Sequence, residues 1–344
     1  MKQRIRSVMV ALVCVVVGIV GSLGLAGQAP TRAVSGTIWV ANRGAHTIRG
    51  LDAQTGDVVG TVQMAASSQP GDLAYAKGKL YVAEEFGTPP AIAVVDEESQ
   101  TILYRLQMPG GARPHHVHAS PGGNLVAVGL FGTDLVAVVD THSDLVLGPW
   151  DSNPSTTNGR VHAAVFSQDG HTMYLASDAS SEVIAMDPYT GIVVWRMTVP
   201  GAHELAIVPN GKTAYVSRRT FNRVAVIDLE NQTYQDVLAL GLPDTLRLSA
   251  SETLLTVGLR TSPAQVAVVD TGTLTYELVT LSAPGETTTI AGHQWTSESG
   301  RYTFAAFEGG AAPGVAVIDH GDGNRVVQAL AYPGRPHGVD RARP

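Results

Sequence analysis

The chain has 344 residues, a length that fits either two average domains or one repeat array. Its formal net charge of −7, without a block of like charge, argues against a nucleic-acid partner. The one cysteine, Cys14, lies in the N-terminal apolar segment, so disulfides, cysteine nucleophiles and thiolate metal sites are excluded from the rest of the chain.

Residues 1–33 are typical of a secretory signal peptide or an N-terminal membrane anchor. Lys2, Arg4 and Arg6 precede an apolar run from Val8 to Ala26, and small residues follow it. The run is also long enough to remain as an uncleaved anchor. In either case the positive-inside rule predicts that residues 34–344 lie outside the cytoplasm, secreted or periplasmic. We expect a monomer that meets a membrane only through such an anchor.

A short apolar run ending in Asp recurs seven times after this segment. The spacings between successive Asp residues are 44, 44, 47, 41, 42 and 49 residues, which indicates one repeated supersecondary unit. Each Asp precedes a polar or glycine-rich stretch, so we expect it to cap a hairpin by accepting backbone N–H bonds. The seven are Asp52, Asp96, Asp140, Asp187, Asp228, Asp270 and Asp319.

Residues 113–152 form the clearest unit and predict four antiparallel strands in about 40 residues, the blade of a β-propeller. Residues 37–64 contain only the second, third and fourth strands of such a blade. The missing first strand is supplied by residues 335–339, whose sequence repeats that of residues 113–117. The C-terminal strand is therefore predicted to complete the N-terminal blade and to close a single seven-bladed domain over residues 34–344, with no open sheet edge.

Three second-strand segments, Tyr81–Glu84, Tyr174–Ser177 and Tyr215–Arg218, are each followed by a strand of the Val-Ala-Val-Ile-Asp type. They resemble the YVTN-type (YncE-like) propeller repeat, and the resemblance covers about residues 37–340. It implies an all-β, seven-bladed propeller of four-stranded antiparallel blades. It leaves function open, because periplasmic YncE-like proteins, surface-layer repeats, lactonases and lyases share this architecture.

Histidine or aspartate occurs at the start of the first strand in nearly every predicted blade. Since first strands line the central channel of a propeller, we expect these side chains to surround one channel mouth. Neutral imidazoles around a cation would suit a divalent transition metal such as zinc, copper, iron or nickel. The alternative is a structural role in which each imidazole bonds a neighbouring backbone carbonyl. The predicted metal ligands are His115, His162, His203, His293 and His337.

Second strands run antiparallel to the first, so their ends should reach the same mouth. His118 either joins the cluster around His115 or, by strand alternation, points between blades. The predicted ligand-binding residues are Arg113, His116, Glu84, Asp178, Glu204, Arg218, Arg260 and Glu308.

Convergent polar groups in a concave site predict binding of a metal ion or small ligand at this mouth. One alternative is a non-catalytic scaffold for a protein or glycan, which the YncE-like resemblance favours. The other is a metal-dependent lactonase- or lyase-like enzyme, with His115, His162 or His203 and Glu204 as acid and base.

Overall fold

Each repeat folds into a four-stranded antiparallel sheet in the computed structural model, and the described chain contains seven such sheets, one of them with a divided outer strand. The structure describes Arg32 and residues 34–154, 160–282 and 289–342. Apart from Arg32, the predicted targeting segment lies outside the described residues. Over the described ranges, no helix is long and apolar enough to cross a bilayer. The predicted seven-bladed propeller is confirmed.

The first three blades are numbered in chain order, and their strands are given from the channel outward. Blade 1 consists of β29 (Pro336–Ala342), β1 (Thr37–Asn42), β2 (Thr47–Asp52) and β3 (Val58–Gln63); blade 2 of β4 (Pro70–Ala76), β5 (Lys79–Glu84), β6 (Ala91–Asp96) and β7 (Thr101–Gln107); blade 3 of β8 (Pro114–Ala119), β9 (Leu125–Leu130), β10 (Leu135–Asp140) and the short outer pieces β11 (Leu145–Val146) and β12 (Trp150–Asp151).

The remaining four blades follow the same plan. Blade 4 consists of β13 (Val161–Phe166), β14 (Met173–Ser177), β15 (Glu182–Met186) and β16 (Val193–Thr198); blade 5 of β17 (Ala202–Ile207), β18 (Thr213–Arg218), β19 (Arg223–Asp228) and β20 (Thr233–Ala239); blade 6 of β21 (Pro243–Leu248), β22 (Leu254–Leu259), β23 (Gln265–Asp270) and β24 (Tyr276–Thr280); blade 7 of β25 (Thr289–Thr296), β26 (Tyr302–Gly309), β27 (Gly314–Asp319) and β28 (Arg325–Ala331). Short 3-10 turns occupy Arg219–Phe221 and His320–Asp322.

The C-terminal strand closes the ring, as the repeat predicts. β29 pairs antiparallel with β1, with Val339 opposite Val40 and Thr37 opposite Ala342. β29 also packs against the first strands of the two neighbouring blades, β25 and β4. The innermost strand of blade 1 is therefore C-terminal, whereas its other three strands are N-terminal. Blade 1 is complete only when these two parts of the chain have paired.

Apolar side chains fill the spaces between neighbouring blades. Tyr81 and Val94 of blade 2 pack with Val117 and Val128 of blade 3 in one such cluster. Second and third strands lie inside the blades and are buried on both faces, which explains their continuous apolar runs. Fourth strands form the rim and alternate between exposed and half-buried residues, as β28 does.

All seven Asp residues at the ends of the third strands cap hairpins, which confirms that interpretation. Asp52 Oδ1, for example, accepts hydrogen bonds of 2.8 Å from the backbone N–H groups of Gln54 and Thr55. The side chains of the other six accept hydrogen bonds in the same way from backbone N–H groups two or three residues further along the chain; these are Asp96, Asp140, Asp187, Asp228, Asp270 and Asp319. These carboxylates all lie at one face of the propeller, which we call the hairpin face.

Every first strand contains a β-bulge near its beginning. In β8, Pro114 pairs with Leu130 and Val117 pairs with Val128, so His115 and His116 together stand opposite one residue. The registers of the other first strands each shift by one residue at the same level. A bulge breaks the alternation of side chains and redirects them. This irregularity determines which residues reach the channel.

Candidate metal centre

The bulges place two layers of polar side chains in the central channel. The outer layer, formed by the first residue of each bulge, contains His115, His162, His203, Asp244 and His337; the inner layer, formed by the next residue, contains Asp72, His116, Glu204, Thr245 and His293. His116 of blade 3 lies 4.2 Å from His293 of blade 7, measured between ring centroids. Because these blades are not neighbours, the contact crosses the channel axis.

Ion pairs close the channel at the end where the first strands begin. Glu85 lies 2.7 Å from Arg113 and 2.5 Å from Arg43, and Glu308 lies 3.1 Å from Arg260 and 2.8 Å from Arg335. The imidazoles of the outer layer beneath these pairs are only 0–8% exposed. The mouth at which the sequence predicts ligand entry is therefore filled by protein side chains.

The structure brings most of the predicted site residues together. The five predicted metal-ligating histidines all lie in the two layers, together with His116 and Glu204. Arg113, Asp178, Arg260 and Glu308 lie in the ion-pair layer above them.

Glu84 and Arg218 do not join this cluster. Glu84 pairs with Arg105 on an outer strand at 3.0 Å, and Arg218 pairs with Asp236 at 2.5 Å. Each is the last residue of a second strand, whose side chain faces the neighbouring outer strands of its own blade. The residues that follow them, Glu85 and Arg219, reach the channel instead.

Other ion-pair residues are absent from the predicted ligand-binding set. Arg219 lies 2.9 Å from Asp244, and the buried Arg43 bridges blades 1 and 2 through Glu85. Their signal was a charge at the end of the second strand. The residue immediately after that strand is charged in five of the seven blades (Arg43, Glu85, Asp178, Arg219 and Arg260), and in blade 7 Glu308 is the last residue but one of β26.

Below the outer layer, a recess with a volume of about 10 Å³ is lined by four possible metal ligands, and such a volume accommodates about one water molecule or ion. The four are His116, His118, Glu204 and His293. Glu204 carboxylate oxygens lie 2.8 Å from His116 Nδ1 and 3.3 Å from His118 Nε2. His118 therefore joins the channel cluster, one of the two positions that the sequence left open for it.

Three groups of side chains have donor atoms within 4.8 Å of one another, and all three contain His116. The groups are His115–His116–His162, Asp72–His116–His293 and His116–His118–Glu204. In contrast, His203 and His337 face carboxylates, with His203 Nε2 at 2.8 Å from Asp244 and His337 Nδ1 at 3.6 Å from Glu308. His116 is thus the ligand common to every arrangement.

Several donor atoms in the recess have no hydrogen-bond partner among the described residues. They are buried, and they include His116 Nδ1, His118 Nε2, His293 Nε2 and both carboxylate oxygens of Glu204. Although His116 Nδ1 and Glu204 are close, their orientation does not make a hydrogen bond. Buried polar atoms without partners are costly, so a bound group that uses them would stabilise the channel.

Burial favours the neutral, metal-binding form of the outer-layer histidines other than His203. Burial lowers the pKa of His115 to about 4, although Glu85 opposes the effect. Burial also lowers the pKa of His162 well below its ordinary value. For His203, burial acts in the same direction, but hydrogen bonds to Asp178 and Asp244 outweigh it and raise the pKa.

The buried carboxyl groups of the inner layer have lowered pKa values. Burial acts to raise the pKa of Glu204, but the neighbouring His116 and His118 outweigh it and hold that pKa well below its ordinary value. The pKa of Asp72 is also lowered: burial opposes this, and His293 is its main cause. Asp72 Oδ1 lies 3.1 Å from His293 Nδ1, so the carboxylate orients this imidazole with Nε2 free.

Residues 106–290, more than half of the chain, match the model of the family described as Lactonase, 7-bladed beta-propeller. The chain belongs to this family. Among curated proteins, the uncharacterized protein YncE of Salmonella typhimurium and its Salmonella typhi counterpart are each 25% identical over 248 residues, which span 67% of this chain and 68% of theirs. The YncE-like resemblance is therefore confirmed.

Solved structures similar to this lactonase-family propeller confirm its fold. A putative 6-phosphogluconolactonase from Bacteroides uniformis superposes with a TM-score of 0.63 at 16% identity, over 90% of this chain and 100% of that one. The dihydro-heme d1 dehydrogenase NirN, in complex with DHE, superposes with a TM-score of 0.62 at 15% identity, over 92% of this chain and 77% of that one. At such identities the likeness concerns the fold alone.

A cavity of this lactonase-family propeller opens at the hairpin face, opposite to the predicted mouth. Its volume is about 510 Å³, and His118, Arg247, Trp295 and Asp340 are in its wall. His118 and Arg247 also line the small recess, so the recess adjoins the cavity. Access to the histidine cluster is consequently from the hairpin face.

Proposed function

We propose that this lactonase-family propeller binds a divalent transition metal ion in its central channel, with His116, His118 and Glu204 as ligands. The observation that carries the proposal is the recess sized for one ion, surrounded by buried donor atoms that lack hydrogen-bond partners. His293, oriented by Asp72, lines the same recess and lies within 4.8 Å of His116, measured between their possible ligand atoms.

The donor set supports a metal of the zinc type. Four donors at about 2.0–2.2 Å from a tetrahedral ion are about 3.3–3.6 Å apart. The distance from Glu204 Oε1 to His118 Nε2, 3.3 Å, agrees with this range, and the distance from Glu204 Oε2 to His116 Nδ1, 2.8 Å, is shorter. Imidazole and carboxylate donors without thiolate suit zinc, copper, iron or nickel.

A metal-dependent hydrolase is the second candidate, and the position of the cavity favours it. Catalytic zinc sites have three protein ligands and leave one position for substrate, whereas structural sites are closed by four. Here the recess adjoins a cavity large enough for a small ester or lactone. A bound ion would supply Lewis acidity towards a carbonyl group held there. The family's name agrees with such a substrate.

Elemental analysis of the purified full chain tests metal binding. We expect about one equivalent of metal in the native protein and its loss in the double variant His116→Ala, Glu204→Ala. The matched control, His142→Ala with Glu230→Ala, removes one exposed imidazole and one exposed carboxylate and should retain the metal. A folded native protein that neither contains nor takes up metal would contradict the proposal.

A panel of lactones and esters, assayed with and without added zinc, then separates the remaining candidates. Turnover that requires metal and disappears in the His116→Ala, Glu204→Ala variant would support the hydrolase. Metal binding without turnover would leave a binding role. A metal-free, inactive protein would favour the protein or glycan scaffold.

We also propose that the protein functions outside the cytoplasm. The support is the order of charged, apolar and small residues over positions 1–33. Fractionation of cells that express the full chain should recover it outside the cytoplasm. Recovery in the cytosol, with the N-terminus intact, would contradict this proposal.

A further inference from the structure

The cavity at the hairpin face has the dimensions of a small-molecule site. Its 510 Å³ lie within the range of known ligand pockets, about 300–1,000 Å³. Polar groups and apolar surface both contribute to the wall, which includes His118, Arg247 and Trp295. The cavity does not require a metal ion in the recess beneath it.

Arg247 offers an unused pair of donors to this cavity. Its Nε donates to the backbone carbonyl of Gln294 at 3.2 Å, which holds the partly buried side chain in place. Within the described part of the chain, its two terminal nitrogens have no hydrogen-bond acceptor and no carboxylate at ion-pair distance. A fixed guanidinium with two free terminal nitrogens matches the two oxygens of a carboxylate.

The other charges around the cavity leave the positive charge of Arg247 unbalanced. Arg341 is paired with Glu298 at 3.3 Å. Burial raises the pKa of Asp340, although Arg247 and the N–H of Tyr75 oppose the effect. The wall thus contains three cationic side chains, Lys77, Arg247 and Arg341, and two carboxyl side chains, Glu298 and Asp340, and this excess of positive charge favours anions in the cavity.

Apolar surface covers the part of the wall that an inorganic anion would leave unused. Three half-buried apolar residues, Ala119, Leu248 and Trp295, line it. From this combination we infer that the cavity binds a small organic carboxylate, with Arg247 as its anchor. This site goes beyond the proposed metal site, and neither depends on the other.

Titration of the full chain with benzoate tests this inference, with tryptophan fluorescence or calorimetry as the readout. Benzamide has the same ring without the charge, so it should bind at least tenfold more weakly. Inorganic phosphate has the charge without the ring and should also bind at least tenfold more weakly. Arg247→Gln should weaken benzoate binding at least tenfold. The control Arg325→Gln changes a 75% exposed arginine on the outer strand β28 and should leave the benzoate affinity unchanged.

A second variant keeps the inference testable if Arg247→Gln does not fold. Ala250 is exposed and lies at the cavity wall, so Ala250→Glu adds a negative charge there without disturbing the core. We expect this variant also to weaken benzoate binding and to leave metal content unchanged. Equal affinities for benzoate and benzamide, tight phosphate binding, or unchanged benzoate affinity in a folded variant would each overturn the inference.

Discussion

Acidification of the metal-free protein should destabilise it well before its carboxylates titrate. His115 is buried beside His116, His162 and Phe131, and burial lowers its pKa to about 4 from an ordinary value of 6.5. The unfolded chain therefore takes up a proton at this residue near pH 6.5, whereas the folded chain does not until about pH 4. Stability contributed by the neutral imidazole is fully present above pH 6.5 and decreases as the pH falls towards 4.

The expected loss follows from that difference. One pKa unit corresponds to about 1.4 kcal/mol, so His115 alone accounts for about 3 kcal/mol between pH 6.5 and 4. Burial shifts the pKa of His162 and His337 in the same direction and adds to the loss. His203 acts in the opposite sense, because its raised pKa favours the folded state as the pH falls. Carboxylates with lowered pKa values, such as Glu204, contribute to acid unfolding only below about pH 4.5.

Urea denaturation of the full chain in the presence of a chelator measures this effect. Between pH 7.5 and 5, the free energy of unfolding should decrease for the native protein and decrease less for His115→Asn, which cannot titrate. His142→Asn, at an exposed hairpin residue, should follow the native protein. A native protein with the same urea midpoint at pH 7.5 and pH 5 would refute the assignment of buried, neutral imidazoles.

Three further predictions concern the propeller. Gly129→Ala should destabilise the propeller by about 1–3 kcal/mol in thermal unfolding, because a Cβ atom there would lie 2.6 Å from the carbonyl oxygen of His162. The control Gly110→Ala, whose Cβ atom would have no neighbour within 4 Å, should leave the stability unchanged. Asp187→Ala should cost about 1 kcal/mol by removing a hairpin cap, which chemical denaturation would detect; no change would contradict the capping role. Deletion of residues 335–344 removes β29 from the ring and should abolish the cooperative unfolding transition that calorimetry measures. A truncated chain that keeps the native transition would show that ring closure is dispensable.

The fold could be predicted because its signals are local and repeated. Each apolar run that ends in Asp predicts one buried strand followed by one capped hairpin, and the seven copies predict seven blades. Closure could be predicted because residues 335–339 repeat residues 113–117 in a place where blade 1 lacks a strand. Each of these inferences needs no knowledge of where an individual side chain points.

The candidate site could be predicted only in part, because it depends on such directions. Alternation along a regular strand would bring His115 or His116 to the channel, and the bulge in β8 brings both. A bulge has no reliable sequence signal in these strands, since its first position holds His, Gly or Asp in different blades. The one-residue displacement from Glu84 to Glu85 also arises at a strand end, where boundaries are hardest to place.

The position of the cavity depends on residues that the repeat does not share. Ion pairs fill the end where the first strands begin, while the first-strand ends and their following turns carry small residues such as Ala74, Gly122 and Gly123. The volume of the cavity depends on the sizes of side chains from several blades, so it cannot be predicted from the sequence of one repeat. The predicted mouth and the observed cavity therefore lie at opposite ends of the same channel.

The two channel layers show how seven blades with the same fold can form one asymmetric site. A ring of seven equivalent positions on one axis is too narrow for seven large side chains. Some blades consequently carry small residues: a Cβ atom at Gly338 would lie 2.5 Å from Asp72 Oδ1, and one at Gly292 would lie 2.9 Å from the carbonyl oxygen of His337. These glycines make room for the imidazoles and carboxylates of the other blades. Departures from the repeat at one level of the first strand, rather than the repeat itself, thus create the donor cluster around His116.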